Sequence, residues 1–121
     1  MPDKKARLCA EREQTLEKLQ RLRSYLSTRI DQISAGGKDP VDAASDIHER
    51  EKTLALIRTM ERKLAGIERA SDAIEKGSYG ICEICGERIN PARLAAIPHA
   101  TTCVSCQDKL DRRVRYQGRP P

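Results

Sequence analysis

Cys82-Glu83-Ile84-Cys85 and Cys103-Val104-Ser105-Cys106, separated by residues 86–102, decide how this chain folds. Two C-x2-C knuckles about 15–20 residues apart fit the arithmetic of a four-thiolate zinc site. Each knuckle aims two sulfurs at one point, and two knuckles complete the tetrahedron that structural Zn²⁺ accepts. A complete tetrahedron leaves no open position for water, so the expected role is structural and not hydrolytic. Iron could take the same four thiolates. A disulfide pair belongs to oxidising compartments. The N-terminal MPDKKARLCAERE is charged and has no apolar stretch, so it does not read as a secretory signal. A thioredoxin-like redox pair needs a βαβ context that the pattern lacks. Zinc is the reading we adopt. The fifth cysteine, Cys9, stands alone in a charged stretch and reads as a free thiol.

Outward from the cysteines, the composition limits the rest. The chain has 121 residues, no Phe and no Trp; its aromatics are Tyr25, Tyr79 and Tyr116. A large globular core is therefore not expected. Charged residues make up 34%, which suits long exposed helices stiffened by i,i+4 pairs. No apolar run approaches the ~20 residues of a membrane span. The formal charge is +5; four thiolates around one Zn²⁺ would lower it to about +3. That mild excess does not argue by itself for nucleic-acid binding. Its distribution is uneven: residues 36–51 are net acidic, and the tail 107–121 is net basic.

The pattern divides the chain into a helical hairpin over 1–77 with its tip near 36–44, a four-cysteine module over 78–106, and a short C-terminal helix with a basic tail over 107–121. Leu16, Leu19, Leu22, Leu26, Ile30 and Ile33 recur at spacings of three and four, which predicts a helix over about 6–35. Gly36-Gly37 stops it. Asp39 fits the N-cap of a second helix and Pro40 its first position. Asp42 falls at N3, where a carboxylate favours the positive end of the helix dipole. Ile57, Met60, Leu64, Ile67, Ser71 and Ile74 keep the heptad alternation as far as Lys76-Gly77. About 37 residues at ~1.5 Å each would make a rod of roughly 55 Å. The short connection makes the two helices antiparallel. Two helices bury little, so the base of the hairpin needs an anchor, and metal binding worth on the order of 10 kcal/mol can order ~30 residues with little core. Asn90-Pro91 and Pro98 punctuate the span between the knuckles, and QDKLDRRVRY after Cys106 reads as a short helix. The fold class is mainly α: an antiparallel coiled-coil hairpin, a small zinc-finger module and a short C-terminal helix. His48 reads as solvated, and His99 as a surface-loop residue.

These residues together resemble the DksA/TraR zinc-finger family. Cys82-Glu83-Ile84-Cys85, Ile89, Arg93, Pro98, Cys103 and Cys106 meet every offset of the family's signature, and Tyr79-Gly80 is similar to its aromatic-glycine lead-in. Asp39-Pro40-Val41-Asp42-Ala43-Ala44 resembles the family's D-x-x-D-x-A tip motif, at the family's distance from the first cysteine. The resemblance covers about 39–106. It implies a bacterial regulator that binds RNA polymerase, with the hairpin in the secondary channel through which nucleotides reach the active site. It implies that the tip, here Asp39, Asp42 and Ala44, alters open-complex stability, and that no DNA sequence is read. The reading that follows is a cytoplasmic, monomeric, non-enzymatic transcription regulator, with Arg93 as a polymerase contact or a brace of the zinc module. From the residues alone, Asp39 and Asp42 are also explained as helix-start chemistry. Members that respond strongly to ppGpp carry basic residues at positions matching Thr59, Gly66 and Gln107. None of these is basic, so ppGpp coupling is expected to be weak or absent. A zinc-ribbon nucleic-acid binder that uses the basic tail is the alternative.

Overall fold

The computed structural model describes residues 2–34 and 40–117, and side chains within 3–29 and 43–113. Four helices occur in them: α1 (Pro2–Ser34), α2 (Pro40–Lys76), α3 (Pro91–Ala96) and α4 (Val104–Gln117). The described residues form no strands, so the fold is mainly α as the pattern predicts. No helix among them is long and apolar enough to cross a membrane. The connection between α1 and α2, including Asp39, lies outside the described residues.

Residues 10–65 form one compact unit. Within it α1 and α2 run antiparallel. Arg23 pairs with Glu61, and Arg29, further along α1, pairs with Asp46, earlier on α2. Among the described residues of this unit, the buried positions are Thr15, Leu19, Thr53 and Ile57. The heptad reading is refined here. Leu19 and Ile57 are inside as expected, whereas Leu16 remains 37% exposed and Thr15 takes the neighbouring inward position. Both buried threonines satisfy their hydroxyls within their own helices, Thr15 Oγ1 donating to the Glu11 carbonyl at 2.7 Å and Thr53 Oγ1 to that of Glu49 at 3.0 Å. A hydroxyl that finds a partner one turn back can be buried at small cost. Periodicity counted over aliphatic residues alone passes over such positions.

Residues 1–9 and 66–121 form the second unit. Leu8, Ile67 and Ala70 are fully buried in one cluster. Cys82, Ile89, Leu94, Ala100 and Cys106 form another. Tyr79 packs against both. Its hydroxyl donates to the Pro98 carbonyl at 2.8 Å, and Lys4 Nζ lies 5.0 Å from its ring centre. A single aromatic thus joins the end of the helical part to the cysteine module.

The end of α2 explains how the chain turns into that module. Gly77 has φ +77°, a conformation that costs a Cβ-bearing residue. The Ser78 N–H reaches the Ala73 carbonyl at 2.8 Å and the Gly77 N–H that of Ile74 at 3.2 Å. This is the Schellman arrangement, which satisfies the last carbonyls of a helix.

Candidate metal centre

The first knuckle is a tight hairpin. The Cys82 N–H donates to the Glu87 carbonyl, the Gly86 N–H to that of Cys82, and the Ile89 N–H to that of Gly80, all at 2.8–3.0 Å. Gly86 takes φ +75° so that the chain can reverse after Cys85. A lone bridge between Ile81 and Arg88 closes it. The second knuckle is the start of α4. Cys103 precedes the helix and Cys106 lies in its first turn, the Cys106 N–H pointing at Cys103 Sγ at 3.5 Å. The helix begins at Val104, three residues before the segment that the sequence suggested.

All four sulfurs lie within 4.8 Å of one another, and Cys85 Sγ is 3.8 Å from Cys103 Sγ. A tetrahedron with Zn–S bonds of about 2.3 Å has edges of about 3.8 Å, so the cage is sized for zinc. The acid–base chemistry of the thiols points to a cation. Burial opposes ionisation of Cys82, yet the backbone N–H groups of Cys85, Cys103 and Ile84 and the Cys85 thiol outweigh it and lower Cys82 to about 6. At Cys106 the neighbouring Cys103 sulfur, then burial, then Cys82 and Cys85 push the thiol up to about 12. At Cys85 the Glu87 N–H favours the thiolate, but Cys82, burial and Cys103 together raise it. Like charges this close cannot all ionise without a counter-charge. A divalent metal bound by Cys82, Cys85, Cys103 and Cys106 would supply that charge and hold all four as thiolates. Cys82 and Cys106 are buried, Cys103 is half-buried and Cys85 is exposed. Cys9 is exposed on α1, outside this cluster.

The residues between the knuckles brace the cage. Asn90 caps α3, its side-chain oxygen accepting from the Ala92 N–H at 2.9 Å, with Pro91 at the first helical position. The sequence marked Asn90-Pro91 only as punctuation. α3 carries Arg93, whose Nε donates to the Thr102 carbonyl at 3.1 Å, next to Cys103. Buried Thr102 donates its hydroxyl to Gln107 Oε1 at 2.7 Å, and Gln107 Nε2 donates to Asp111 at 3.0 Å. Glu83 accepts from the Thr101 hydroxyl at 3.1 Å and pairs with Arg69 at 3.5 Å. Tyr79, Thr102 and Gln107 were not singled out as braces from sequence; Tyr79 carried a signal, as part of the lead-in to the first knuckle. His99 departs from the surface-loop reading. Its ring and carbonyl lie 3.4 and 3.6 Å from where a Cβ on buried Gly66 would stand. The missing side chain of Gly66 is what lets the loop come so close. His48 is exposed, as expected. Ala44 is exposed on α2; Asp42 belongs to the first turns of that helix, and its side chain lies outside those described.

Four thiols held by two knuckles with no open ligand position define a C4 zinc-finger protein. Residues 77–112 match the model of the prokaryotic dksA/traR C4-type zinc finger. An RNA polymerase-binding transcription factor DksA of Caulobacter vibrioides is 37% identical over 113 residues, covering 92% of this chain and 75% of that protein. DksA of Escherichia coli is 39% identical over 82 residues, 66% of this chain and 53% of its own length. An uncharacterized protein of Bacillus subtilis, YteA, is 42% identical over 83 residues. The chain spans 35% of YteA's length. The chain belongs to the DksA/TraR family of C4 zinc-finger proteins.

Proposed function

We propose that this protein is a transcription regulator that binds RNA polymerase, enters its secondary channel with the α1–α2 hairpin, and modulates initiation through the tip residues Asp39, Asp42 and Ala44. The observation that carries the reading is the match to a named RNA polymerase-binding factor over 92% of the chain. The physical design suits it. In sequence, a net acidic stretch at residues 36–51 falls where one long helix gives way to the next, and a four-cysteine module follows them. Regulation of this kind needs differential affinity for polymerase states, and carboxylates near a metal-bearing catalytic region can provide it. Arg93 is the further polymerase contact we propose; its Nε already braces Thr102, and the residue is only half-buried.

The protein acts as a cytoplasmic monomer without enzymatic activity and reads no DNA sequence. Its coupling to ppGpp is weak or absent. The three positions matching the family's basic contacts are otherwise engaged: Thr59 donates to the Ala55 carbonyl, Gly66 has His99 against it, and the Gln107 amide is shared between Thr102 and Asp111. The test is a pull-down with core RNA polymerase, comparing the native protein with Asp39→Asn/Asp42→Asn. The double variant is expected to bind yet fail to alter open-complex lifetime. Salt-sensitive binding to bare DNA without polymerase would favour a nucleic-acid binder instead.

A further inference from the structure

The ion pair between Arg29 and Asp46 is unlike that between Arg23 and Glu61, which also joins α1 to α2. Arg23 and Glu61 are each about half exposed, at 58% and 50%. The Asp46 side chain is only 10% exposed and that of Arg29 36%, with Nη1 3.8 Å from Oδ1. Arg29 is also held from its own helix. Its Nε donates to the Tyr25 hydroxyl at 3.0 Å, and its Cζ lies 5.5 Å from the Tyr25 ring centre. The hydrogen bond to Tyr25, more than the charge of Asp46 or Glu49, favours the charged guanidinium. A planar guanidinium hydrogen-bonded to a phenol at one edge, with a carboxylate 3.8 Å from another, loses rotational freedom. Asp46 lies four residues, one helical turn, after Asp42 on α2.

We propose that Arg29 is a positioning residue for the regulatory tip: with Tyr25 and Asp46 it clasps α1 to α2 one turn below Asp42, and so fixes the azimuth at which α2 presents position 42. This rests on the proposed function, because it supplies the geometry through which a tip carboxylate acts. Two α-helices joined mainly by a narrow apolar seam can rotate about their axes at small cost. An ion pair at the edge of that seam resists the rotation. The nearby positions Ala43 and Ala44 carry only methyl groups.

The experiment compares native protein, Arg29→Ala, Arg29→Lys, the charge swap Arg29→Asp/Asp46→Arg, and Asp42→Asn. Two quantities are read: open-complex lifetime with RNA polymerase, and backbone amide exchange over 40–50 by mass spectrometry on the free protein. Arg29→Ala is expected to speed exchange over 40–50 and to weaken the effect on open-complex lifetime, each about fivefold, the ratio that loss of one partly enclosed ion pair corresponds to. Affinity for core polymerase should stay within about twofold, since the clasp orients the tip and does not make the anchor. Arg29→Lys should fall between, because an ammonium cannot hold phenol and carboxylate in one plane. The charge swap should recover part of both quantities, because it restores the interhelix pair without the Tyr25 bond, whereas a merely space-filling role for Arg29 would allow no recovery. Unchanged exchange in Arg29→Ala overturns the clasp. A native lifetime effect in Arg29→Ala, with Asp42→Asn inactive, overturns the positioning role and leaves the proposed function standing. An active Asp42→Asn instead removes the proposed function, while the exchange data still decide whether the clasp exists.

Discussion

Replacing Cys106 with Ser removes one corner of the metal cage, and the consequence can be sized from the surroundings. The cluster around the cysteines contains two large buried aliphatic side chains, Ile89 and Leu94. Each contributes about 1.5–3 kcal/mol on burial. A structural zinc site supplies ~10–16 kcal/mol of apparent free energy near neutral pH. The metal therefore outweighs those two side chains together. Without it the segment from Ser78 onward should lose fixed structure, with α3 and α4, while the helices of residues 10–65 persist. α3 and α4 contain 6 and 14 residues, against 33 and 37 in α1 and α2. Far-ultraviolet circular dichroism should accordingly lose about a fifth of its helical signal, in Cys106→Ser and in native protein stripped by a chelator. Trypsin should then cut after Arg88 and Arg93. Zinc should restore the stripped native protein and not the variant, and Cys9→Ser should behave as native. Full helicity and protease resistance after complete metal removal would refute the reasoning.

Other consequences are as direct. Zinc affinity should rise with pH between about 6.5 and 8, because the raised thiols Cys85 and Cys106 must release protons when metal binds, whereas Cys82, lowered to about 6, is largely ionised already; competition with a chromogenic chelator should give a slope of about two protons or more. Ile67→Ala, at a fully buried position beside Leu8 and Ala70, should cost about 2–5 kcal/mol in denaturant unfolding of the zinc-loaded protein. Leu16→Ala should cost far less, since Leu16 is 37% exposed. Tyr79→Phe should cost about 1–2 kcal/mol by leaving the carbonyl of buried Pro98 without its donor.

The helices and the metal cage were legible in the sequence because each has a dense local code. Two C-x2-C knuckles specify four converging sulfurs whatever lies between them. Gly77 after Lys76 and Pro40 near the start of α2 mark boundaries through backbone chemistry that acts on neighbouring residues. What escaped depends on partners distant in sequence or on a polar group that satisfies itself. Thr15 and Thr53 are inside because their hydroxyls bond backward along the helix, which a count of aliphatic residues ignores. The contact between Gly66 and His99 joins positions 33 apart in sequence, and Tyr79 to Pro98 spans 19. α3 was missed for its brevity: six residues opened by Asn90 and Pro91 carry a cap and no period. The clasp of Arg29 on Asp46 has no sequence signal beyond opposite charges on two helices.

The claim that the hairpin tip works inside polymerase can be tested by placing a photoreactive amino acid at exposed Ala44 and mapping its cross-links to RNA polymerase holoenzyme. Cross-links to the walls of the secondary channel near the catalytic centre are the expected result. Cross-links confined to the outer surface of the enzyme, or to DNA alone, would contradict it.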